Sequence, residues 1–256
     1  MATLNRCWRI AVVAACFAAM GIAGVLCRFT LFPLVRLSSR SAAESQRRSR
    51  VLIRWSFRAV IAVLDWGGVM RVDIRNGERL RNAGAALVLA NHPSYLDIVV
   101  LIAHIPDAVC VVKSALWRNP FFGGVVRAGG YVRNDEPDKL VADCAASLAE
   151  GKPLIIFPEG TRTAPGAPLR FVRGAAHVAL KSAAVIQPVV LRCEPPAFTR
   201  TGHWYDQPPG GFRLVMEAMA PIAAAALLEA ERPAPLKPRA LTRALERFFA
   251  THLEGA

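Results

Sequence analysis

The amino-acid sequence predicts an α/β fold, in which a mixed or mostly parallel sheet is flanked by helices and preceded by an N-terminal membrane-associated helix or hairpin. Two observations carry this prediction. From residue 87 onward, short aliphatic runs alternate with stretches of helical periodicity, as in layered α/β structures. Ahead of them lies a long uncharged segment followed by an arginine-rich stretch. The 256 residues suffice for one sizeable core.

The N-terminal segment is predicted to attach the chain to a membrane. Residues 10–27 contain no charge and are just long enough to span a bilayer, and residues 29–35 add a second apolar patch. A single span and a re-entrant hairpin broken near Arg28 and Pro33 both fit this pattern. A cleaved signal peptide is the main alternative. The length of the apolar run and the basic stretch after it favour a retained segment.

Positive charge is concentrated beside this apolar segment. The chain carries a formal charge of +13, and its first 58 residues contain ten arginines against one acid, Glu44. Such a basic collar is typical of attraction to anionic lipid headgroups, at about 1 kcal/mol for each arginine near the surface. The arginine excess after the apolar run predicts a catalytic domain on the cytoplasmic face. No nucleic-acid partner is expected, because no recognised nucleic-acid module follows.

Strands and helices are predicted in order along the rest of the chain. Four aliphatic runs bounded by turn residues indicate buried strands at residues 87–90, 109–112, 154–157 and 185–191. Helical spacing predicts helices over residues 137–150 and 174–184.

The C-terminal part is predicted to be a linker followed by an amphipathic helix. Residues 229–239 contain three prolines, and Leu241, Leu245, Phe248 and Phe249 then line one helical face. We therefore divide the chain into a membrane-anchoring segment (1–58), an α/β domain (59–228) and a C-terminal linker and helix (229–256).

Metal and cofactor signals are weak. The six cysteines and five histidines are scattered, without C-x-x-C or H-E-x-x-H spacing, so neither a metal nor a disulfide framework is expected. The glycine-rich residues 123–130 lack the Lys and the Ser or Thr of a phosphate-binding loop. No resident cofactor is predicted.

A histidine and an aspartate follow the first predicted strand, in the segment NHPSYLD at residues 91–97. His92 would lie on the loop and Asp97 on the first turns of a helix starting near Ser94, so that the carboxylate can reach back to the imidazole. A carboxylate bonded to one ring nitrogen fixes the tautomer and stabilises the imidazolium, as a general base requires. A structural histidine near a capping turn is the alternative. Ser94 is disfavoured as a nucleophile, because no G-x-S-x-G elbow is present.

A second polar loop, FPEGTR at residues 157–162, directly follows the third predicted strand. Gly160 permits a tight turn or positive φ, and Arg162 offers a planar fork of donors suited to phosphate. Together with Glu159 and Thr161, these two residues predict an anion-binding turn. An ordinary polar loop with a surface ion pair between Glu159 and Arg162 is the alternative.

The two motifs together resemble those of the lysophospholipid (1-acylglycerol-3-phosphate) acyltransferase family of the glycerolipid acyltransferase superfamily. The N-H-x4-D string at 91–97 is followed about sixty residues later by FPEGTR. The similarity extends from about Leu87 to Arg192 and includes Lys113, the segment RFVRG at 170–174, and Pro188.

The resemblance implies an O-acyltransferase of phospholipid biosynthesis. His92, held by Asp97, would take the proton of an acceptor hydroxyl as it attacks the thioester of acyl-CoA or acyl carrier protein, without a covalent acyl-enzyme. Glu159, Gly160, Thr161 and Arg162 would hold the acceptor, typically through its phosphate. Arg173, where relatives commonly carry a lysine, and Arg133 are further candidate substrate-binding cations. Membrane lipids are the expected surroundings.

One departure from the family pattern bears on the acceptor. The family's middle motif usually ends in arginine, whereas this chain has Asn134 there, directly after Arg133. A non-phosphate acceptor, such as an aryl-polyene-type pigment or another specialised lipid, is therefore an alternative to a lysophospholipid. A hydrolase using the same histidine and a non-catalytic membrane-tethered lipid-binding protein are further alternatives. The presence of both His92 and Asp97 argues against the non-catalytic one.

Overall fold

The computed structural model describes residues 2–228 and 236–254. Its N-terminal part is a helical hairpin: α1 (Ala2–Phe29), α2 (Leu31–Leu37) and α3 (Ala42–Trp66). Trp66 at the end of α3 meets Trp8 near the start of α1 edge to face. Glu44, the single acid of the first 58 residues, explains where α3 begins. Ser41, the N-cap residue of α3, accepts a hydrogen bond from the Glu44 N–H, and the Glu44 carboxylate accepts one from the N–H of the preceding residue, Arg40.

Eight strands form one sheet in the order β1-β7-β6-β2-β5-β3-β4, with β8 beside β6. The pairings are parallel except those of β6 with β7 and β8, so the prediction of a mostly parallel sheet is confirmed. The strands are β1 (Met70–Arg75), β2 (Leu87–Ala90), β3 (Val109–Lys113), β4 (Val132–Asn134), β5 (Leu154–Ile156), β6 (Val185–Glu194), β7 (Phe212–Ala218) and β8 (Ile222–Ala223).

Helices cover both faces of the sheet. They are α4 (Gly77–Arg81), α5 (Asp97–His104), α6 (Ser114–Arg118), α7 (Gly123–Ala128), α8 (Pro137–Ala149), α9 (Gly174–Ser182) and α10 (Lys237–Glu254), with a 3₁₀ turn at Ala224–Leu227. Since β3 and β6 lie on opposite sides of β2 and β5, right-handed crossovers place α5 on one face and α9 on the other. The helix α3 packs against α5, and α8 and α10 pack against α9.

Most predicted elements lie close to their expected positions. The helix predicted over 137–150 is α8, and the one predicted over 174–184 is α9, which ends at Ser182 because Ala183 adopts a left-handed conformation. The glycine-rich residues 123–130 form α7 and the turn after it. Most of the predicted linker, residues 229–235, lies outside the described residues, and α10 already begins at Lys237.

The N-terminal helices are packed onto the α/β core. The boundary predicted after residue 58 falls inside α3, which is continuous and contacts both α5 and β1. The outermost helix, α1, is long and apolar enough to cross a membrane. Its contacts run from Arg9, which donates to the carbonyl of Pro209, to Arg28, which packs on Gly124. The core therefore supports α1 along most of its length.

Candidate active site

The carboxyl ends of β2 and β5 meet at one edge of the sheet, and both predicted loops leave from there. Asn91, the first residue after β2, bridges to β6: its amide nitrogen donates to the Leu191 carbonyl at 2.8 Å, and its amide oxygen accepts from the Leu191 N–H at 2.7 Å. This buried side chain replaces ladder hydrogen bonds at the point where the chain turns away from the strand. The sequence analysis did not single out Asn91.

The histidine and aspartate are joined as the spacing predicted. His92 Nδ1 lies 2.8 Å from Asp97 Oδ2, and the imidazole stacks on Phe157 with ring centroids 4.0 Å apart. Asp97 is fully buried at the first turn of α5, whereas the His92 side chain keeps 18% of its surface exposed. Since Asp97 accepts from Nδ1, the assigned tautomer leaves Nε2 with its lone pair. In the described part of the chain, no protein group hydrogen-bonds Nε2.

The surroundings of Asp97 set its electrostatics. Burial raises the pKa of the Asp97 carboxyl, while hydrogen bonds from His92 and from the Ser94 N–H at 2.7 Å, and the charge of Arg162, limit that rise. Its second oxygen, Oδ1, is buried and has no hydrogen-bond partner among the described residues. The carboxylate is therefore directed at the imidazole and the Ser94 N–H alone.

Glu159 fixes the position of the histidine loop. Its Oε1 accepts from the main-chain N–H of His92 at 2.7 Å, and its Oε2 accepts from the Thr163 hydroxyl. The Thr163 N–H in turn donates to the His92 carbonyl at 3.2 Å. Burial, with the nearby charge of Asp97, raises the pKa of Glu159 to about 7, against the effect of its hydrogen bond from His92.

The surface ion pair between Glu159 and Arg162, which was the alternative interpretation of this loop, is absent from the described residues. The carboxyl of Glu159 is buried and directed at the main chain of the other motif. Its predicted role in holding substrate stays a prediction. The contacts favour a positioning role, in which Glu159 ties the two motifs together.

Arg162 is held in place while part of its guanidinium stays available. Its Nη1 donates to the carbonyls of Phe198 and Thr199 at 3.1 and 2.7 Å, and its guanidinium carbon lies 3.3 Å from the ring centroid of Tyr95. No protein acceptor pairs with Nη2 or Nε in the described ranges. Those donors are available to an anion, and the loop of Arg162 lies next to His92, because the Thr163 N–H donates to the His92 carbonyl.

The remaining candidates are arranged less tightly. Gly160 has φ +69°, as predicted for a glycine in this turn, and Thr161 is half-buried next to it. Arg133 is the middle residue of β4, two strands from β5, where it forms an ion pair with Asp135 and its guanidinium carbon lies 6.0 Å from the centroid of the Trp117 ring. Arg173 is the exposed N-cap residue of α9. The structure thus joins His92, Asp97, Glu159 and Arg162, while Arg133 and Arg173 lie at the periphery.

The N-terminal helix α1 borders this site. Phe17 of α1 contacts Phe198 edge to face at 5.9 Å, and the Phe198 carbonyl accepts from both Arg162 and the Tyr95 N–H. Trp204 lies on the other side of Phe17, with centroids 6.4 Å apart. The apolar surface of α1 therefore continues to the edge of the polar site. Phe198 lies in a loop without a motif and was not predicted.

Residues 71–192 match the family model described as "Acyltransferase". They form an acyltransferase-family domain, and the resemblance that the two motifs indicated is confirmed. The fold agrees with the crystal structure of the 1-acyl-sn-glycerophosphate (LPA) acyltransferase PlsC from Thermotoga maritima. The TM-score is 0.70 at 17% identity, with 97% of this chain and 98% of the other covered.

Relatives in sequence are named 1-acyl-sn-glycerol-3-phosphate acyltransferases. The protein of that name from Helicobacter pylori is 39% identical over 117 residues, which is 43% of this chain and 49% of that protein. The beta form from Homo sapiens is 27% identical over 184 residues, which is 69% of this chain and 61% of that protein. The chain thus spans about half the length of the curated relatives it matches.

Proposed function

We propose that the protein is an O-acyltransferase that moves a fatty acyl group from a thioester donor to the hydroxyl of a lysophospholipid such as 1-acylglycerol-3-phosphate. One observation carries the proposal. His92 is bonded through Nδ1 to a buried carboxylate, keeps its Nε2 without a hydrogen-bond partner among the described residues, and lies in a loop tied to the one that holds Arg162. The names of the sequence relatives support the same activity.

The geometry supplies a general base. His92 Nε2 accepts the proton of the acceptor hydroxyl while the hydroxyl oxygen attacks the thioester carbonyl carbon. Asp97 stabilises the imidazolium through the Nδ1 contact of 2.8 Å. When the tetrahedral intermediate collapses, the carbon–sulfur bond breaks and the imidazolium returns the proton to the leaving thiolate. The acyl group passes directly from donor to acceptor.

Mass spectrometry of lipids from cells with and without the gene tests this function. Loss of the gene should raise the level of an acceptor lysolipid and lower that of its acylated product. An altered pigment with unchanged phospholipids would instead support the aryl-polyene-type alternative. Unchanged lipids and pigments, together with no transfer by purified protein in detergent, would support the non-catalytic lipid-binding alternative.

The acceptor's phosphate is expected to bind Arg162, so Arg162→Ala should raise KM for the acceptor more than KM for the acyl donor. Loss of a charge-assisted, bidentate contact is worth about 1.5–3 kcal/mol, or roughly ten- to a hundred-fold in kcat/KM. Arg162→Lys is the matched control. It keeps the charge but loses the planar fork, so its loss should be intermediate. An equal rise in both KM values would contradict the assignment.

The activity of the Arg133→Ala variant distinguishes a phosphate-containing acceptor from one without phosphate. Asn134 cannot supply the charge that relatives place there, and Arg133 is engaged by Asp135. If 1-acylglycerol-3-phosphate is the acceptor, Arg133 must leave that pair, and Arg133→Ala should be nearly as damaging as Arg162→Ala. Efficient turnover of this acceptor by the Arg133→Ala variant would show that Arg133 does not replace the arginine that relatives carry at position 134.

We propose further that α1 lies in the plane of the membrane, on its cytoplasmic face, rather than crossing it. The contacts with the core run from Arg9 to Arg28, about 28 Å at 1.5 Å per residue, which is close to the hydrocarbon thickness of about 30 Å. No Cβ would fit between Gly24 and the Phe121 carbonyl, so this contact is tight. The outer face of the hairpin remains apolar and exposed, with Leu4, Ile22, Leu26, Phe29, Leu34 and Leu37.

Accessibility of the two ends of the hairpin tests this placement. In sealed vesicles, a membrane-impermeant maleimide should label the exposed Cys7 and an introduced Arg40→Cys from the same side. Labelling from opposite sides would show a span. The intact mass of the purified protein provides a second check, since a chain beginning near residues 19–24 would show a cleaved signal peptide.

A further inference from the structure

Three exposed arginines form a row along the outer face of α10. Arg239, Arg243 and Arg247 are spaced four residues apart and therefore lie on one side of the helix. Within residues 2–228 and 236–254, none of them has a carboxylate at ion-pair distance. Like charges at this spacing destabilise a helix. Since the α10 arginine row costs stability and is not neutralised by these residues, it is suited to an anionic partner.

The α10 arginine row is connected to the proposed active site. Glu246 of α10 accepts from the Phe171 N–H at 2.8 Å, and Phe171 packs on Phe249 with ring centroids 5.4 Å apart. The next residue, Val172, donates its N–H to the carbonyl of Pro158 in the Arg162 loop at 2.7 Å. Arg170 and Arg173, which flank this connection, are also exposed. Positive charge thus extends from α10 to the loop that holds the acceptor.

The packing of α10 distinguishes a soluble partner from a lipid surface. A helix that inserts into a lipid surface needs an apolar face, whereas a row of charge alone is attracted only to the headgroups. In α10 that face is already used, because Leu241, Leu245 and Phe249 are buried in the core. The exposed apolar surface of the protein lies mainly on the α1–α3 hairpin, and α3 packs with α5 on the opposite face of the sheet from α9 and α10. A row with charge but no free apolar face fits an acidic protein.

We infer that the α10 arginine row docks an acidic acyl carrier protein as the acyl donor. This inference rests on the proposed acyltransferase function and deepens it by naming the acyl donor. The other candidate donor, acyl-CoA, has no protein surface that the arginine row could bind. A carrier protein presents acidic helices around a thioester on a flexible arm. Docking on α10 lets that arm reach past Phe171 to the loop of Arg162 and to His92. The contact is electrostatic and exposed, so it contributes mainly to encounter and to KM.

The test compares two donors on one charge-neutralised variant, Arg239→Gln/Arg243→Gln/Arg247→Gln. With palmitoyl-acyl carrier protein, KM should rise roughly ten-fold, as expected for three exposed charge pairs, while kcat stays unchanged. With palmitoyl-CoA, KM should change less than about two-fold, because none of the three residues touches the site. The variant should melt at or above the wild-type temperature, since like-charge pairs are removed.

A matched control neutralises three exposed arginines elsewhere, Arg71→Gln/Arg75→Gln/Arg81→Gln on β1 and α4. It should leave both KM values unchanged, whereas an effect as large as that of the α10 variant would show a response to net charge and overturn the inference. Equal effects of the α10 variant on both donors, or none on the carrier-protein donor, would also overturn it. So would a variant that keeps its carrier-protein KM but binds less to phosphatidylglycerol-containing vesicles, which would assign the row to the membrane.

Direct binding separates failure of the docking surface from failure of the proposed function. Holo-acyl carrier protein, without an acyl group, is passed over immobilised wild-type and α10 variant protein. Roughly ten-fold weaker binding by the variant supports the docking surface even if the wild type transfers acyl groups from neither donor, in which case the proposed function alone has failed. An undetectable or unchanged affinity overturns the docking surface, whatever the activity.

Discussion

His92→Ala is expected to lower acyl transfer by roughly three orders of magnitude or more, to the level of donor and acceptor held together without a base. A positioned general base contributes about 10²–10⁴-fold, and this base also has a buried carboxylate that stabilises its charged form. Among the described residues, no other histidine is paired with a carboxylate, and the Glu159 carboxyl at this edge is engaged by the His92 N–H and the Thr163 hydroxyl. Single-turnover assays in detergent micelles, with saturating donor and acceptor, measure the loss in the chemical step.

The fold should survive the His92→Ala change. The imidazole is partly exposed, and the main chain of residue 92 remains bonded to Glu159 and Thr163. His92→Gln keeps most of the side-chain volume against Phe157 and should lose as much activity as His92→Ala. His177→Ala, at an exposed position on α9, is the matched control and should keep full activity. Near wild-type turnover by purified His92→Ala protein would refute the assignment of His92 as the base.

Four strands in the centre of the sheet, β2, β3, β5 and β6, were predictable from sequence, whereas β1, β4, β7 and β8 were not. The strands β2, β3, β5 and β6 are short aliphatic runs, because parallel strands with helices on both faces are buried on both sides. The strand β1, MRVDIR, lies at the edge and is mostly half-exposed, so its polar alternation gave no comparable signal. The strand β4 has only three residues and pairs with β3 at the edge of the sheet.

The local part of the site was predictable, and its long-range supports were not. His92 and Asp97 are five residues apart, so a turn and the start of a helix determine their contact. The bonds of Asn91 to Leu191 and of Arg162 to Phe198 join residues 100 and 36 positions apart. No sequence pattern relates these partners, since they are neighbours only after β6 has paired with β2.

The composition of α1 also does not show whether the helix crosses the membrane or packs on the α/β core. The apolar length satisfies the requirement for crossing a bilayer. The choice depends on contacts with distant residues, such as Gly67 against Val12 and Phe121 against Gly24. The two glycines, Gly24 and Gly67, let α1 approach the core closely. In the sequence alone, Gly24 cannot be told apart from the other members of the apolar run.

Asp97→Asn is expected to cost less than loss of the histidine, at roughly two to three orders of magnitude in rate. The reason lies in the two hydrogen bonds that Oδ2 accepts, from His92 Nδ1 and from the Ser94 N–H. An amide must place its oxygen at that position, because its NH₂ group cannot accept from the fixed Ser94 N–H. His92 then keeps its proton on Nδ1 and its lone pair on Nε2, so the catalytic tautomer is preserved. Only the negative charge is removed.

The size of the loss follows from that missing charge. Breaking a buried ion pair costs about 3–5 kcal/mol, and the lower part of this range applies to an imidazolium that is partly exposed, which gives the expected two to three orders of magnitude. The amide nitrogen would occupy the Oδ1 position, which has no partner in the described chain, so one unsatisfied buried atom replaces another and the variant should keep its fold. Asp97→Ala, which releases the Ser94 N–H as well, is the comparison variant and should be less active than Asp97→Asn.

Activity of Asp97→Asn within ten-fold of wild type would mean that the carboxylate charge is not used. A loss of about four orders would mean that the amide inverts, despite Ser94, and traps the wrong tautomer.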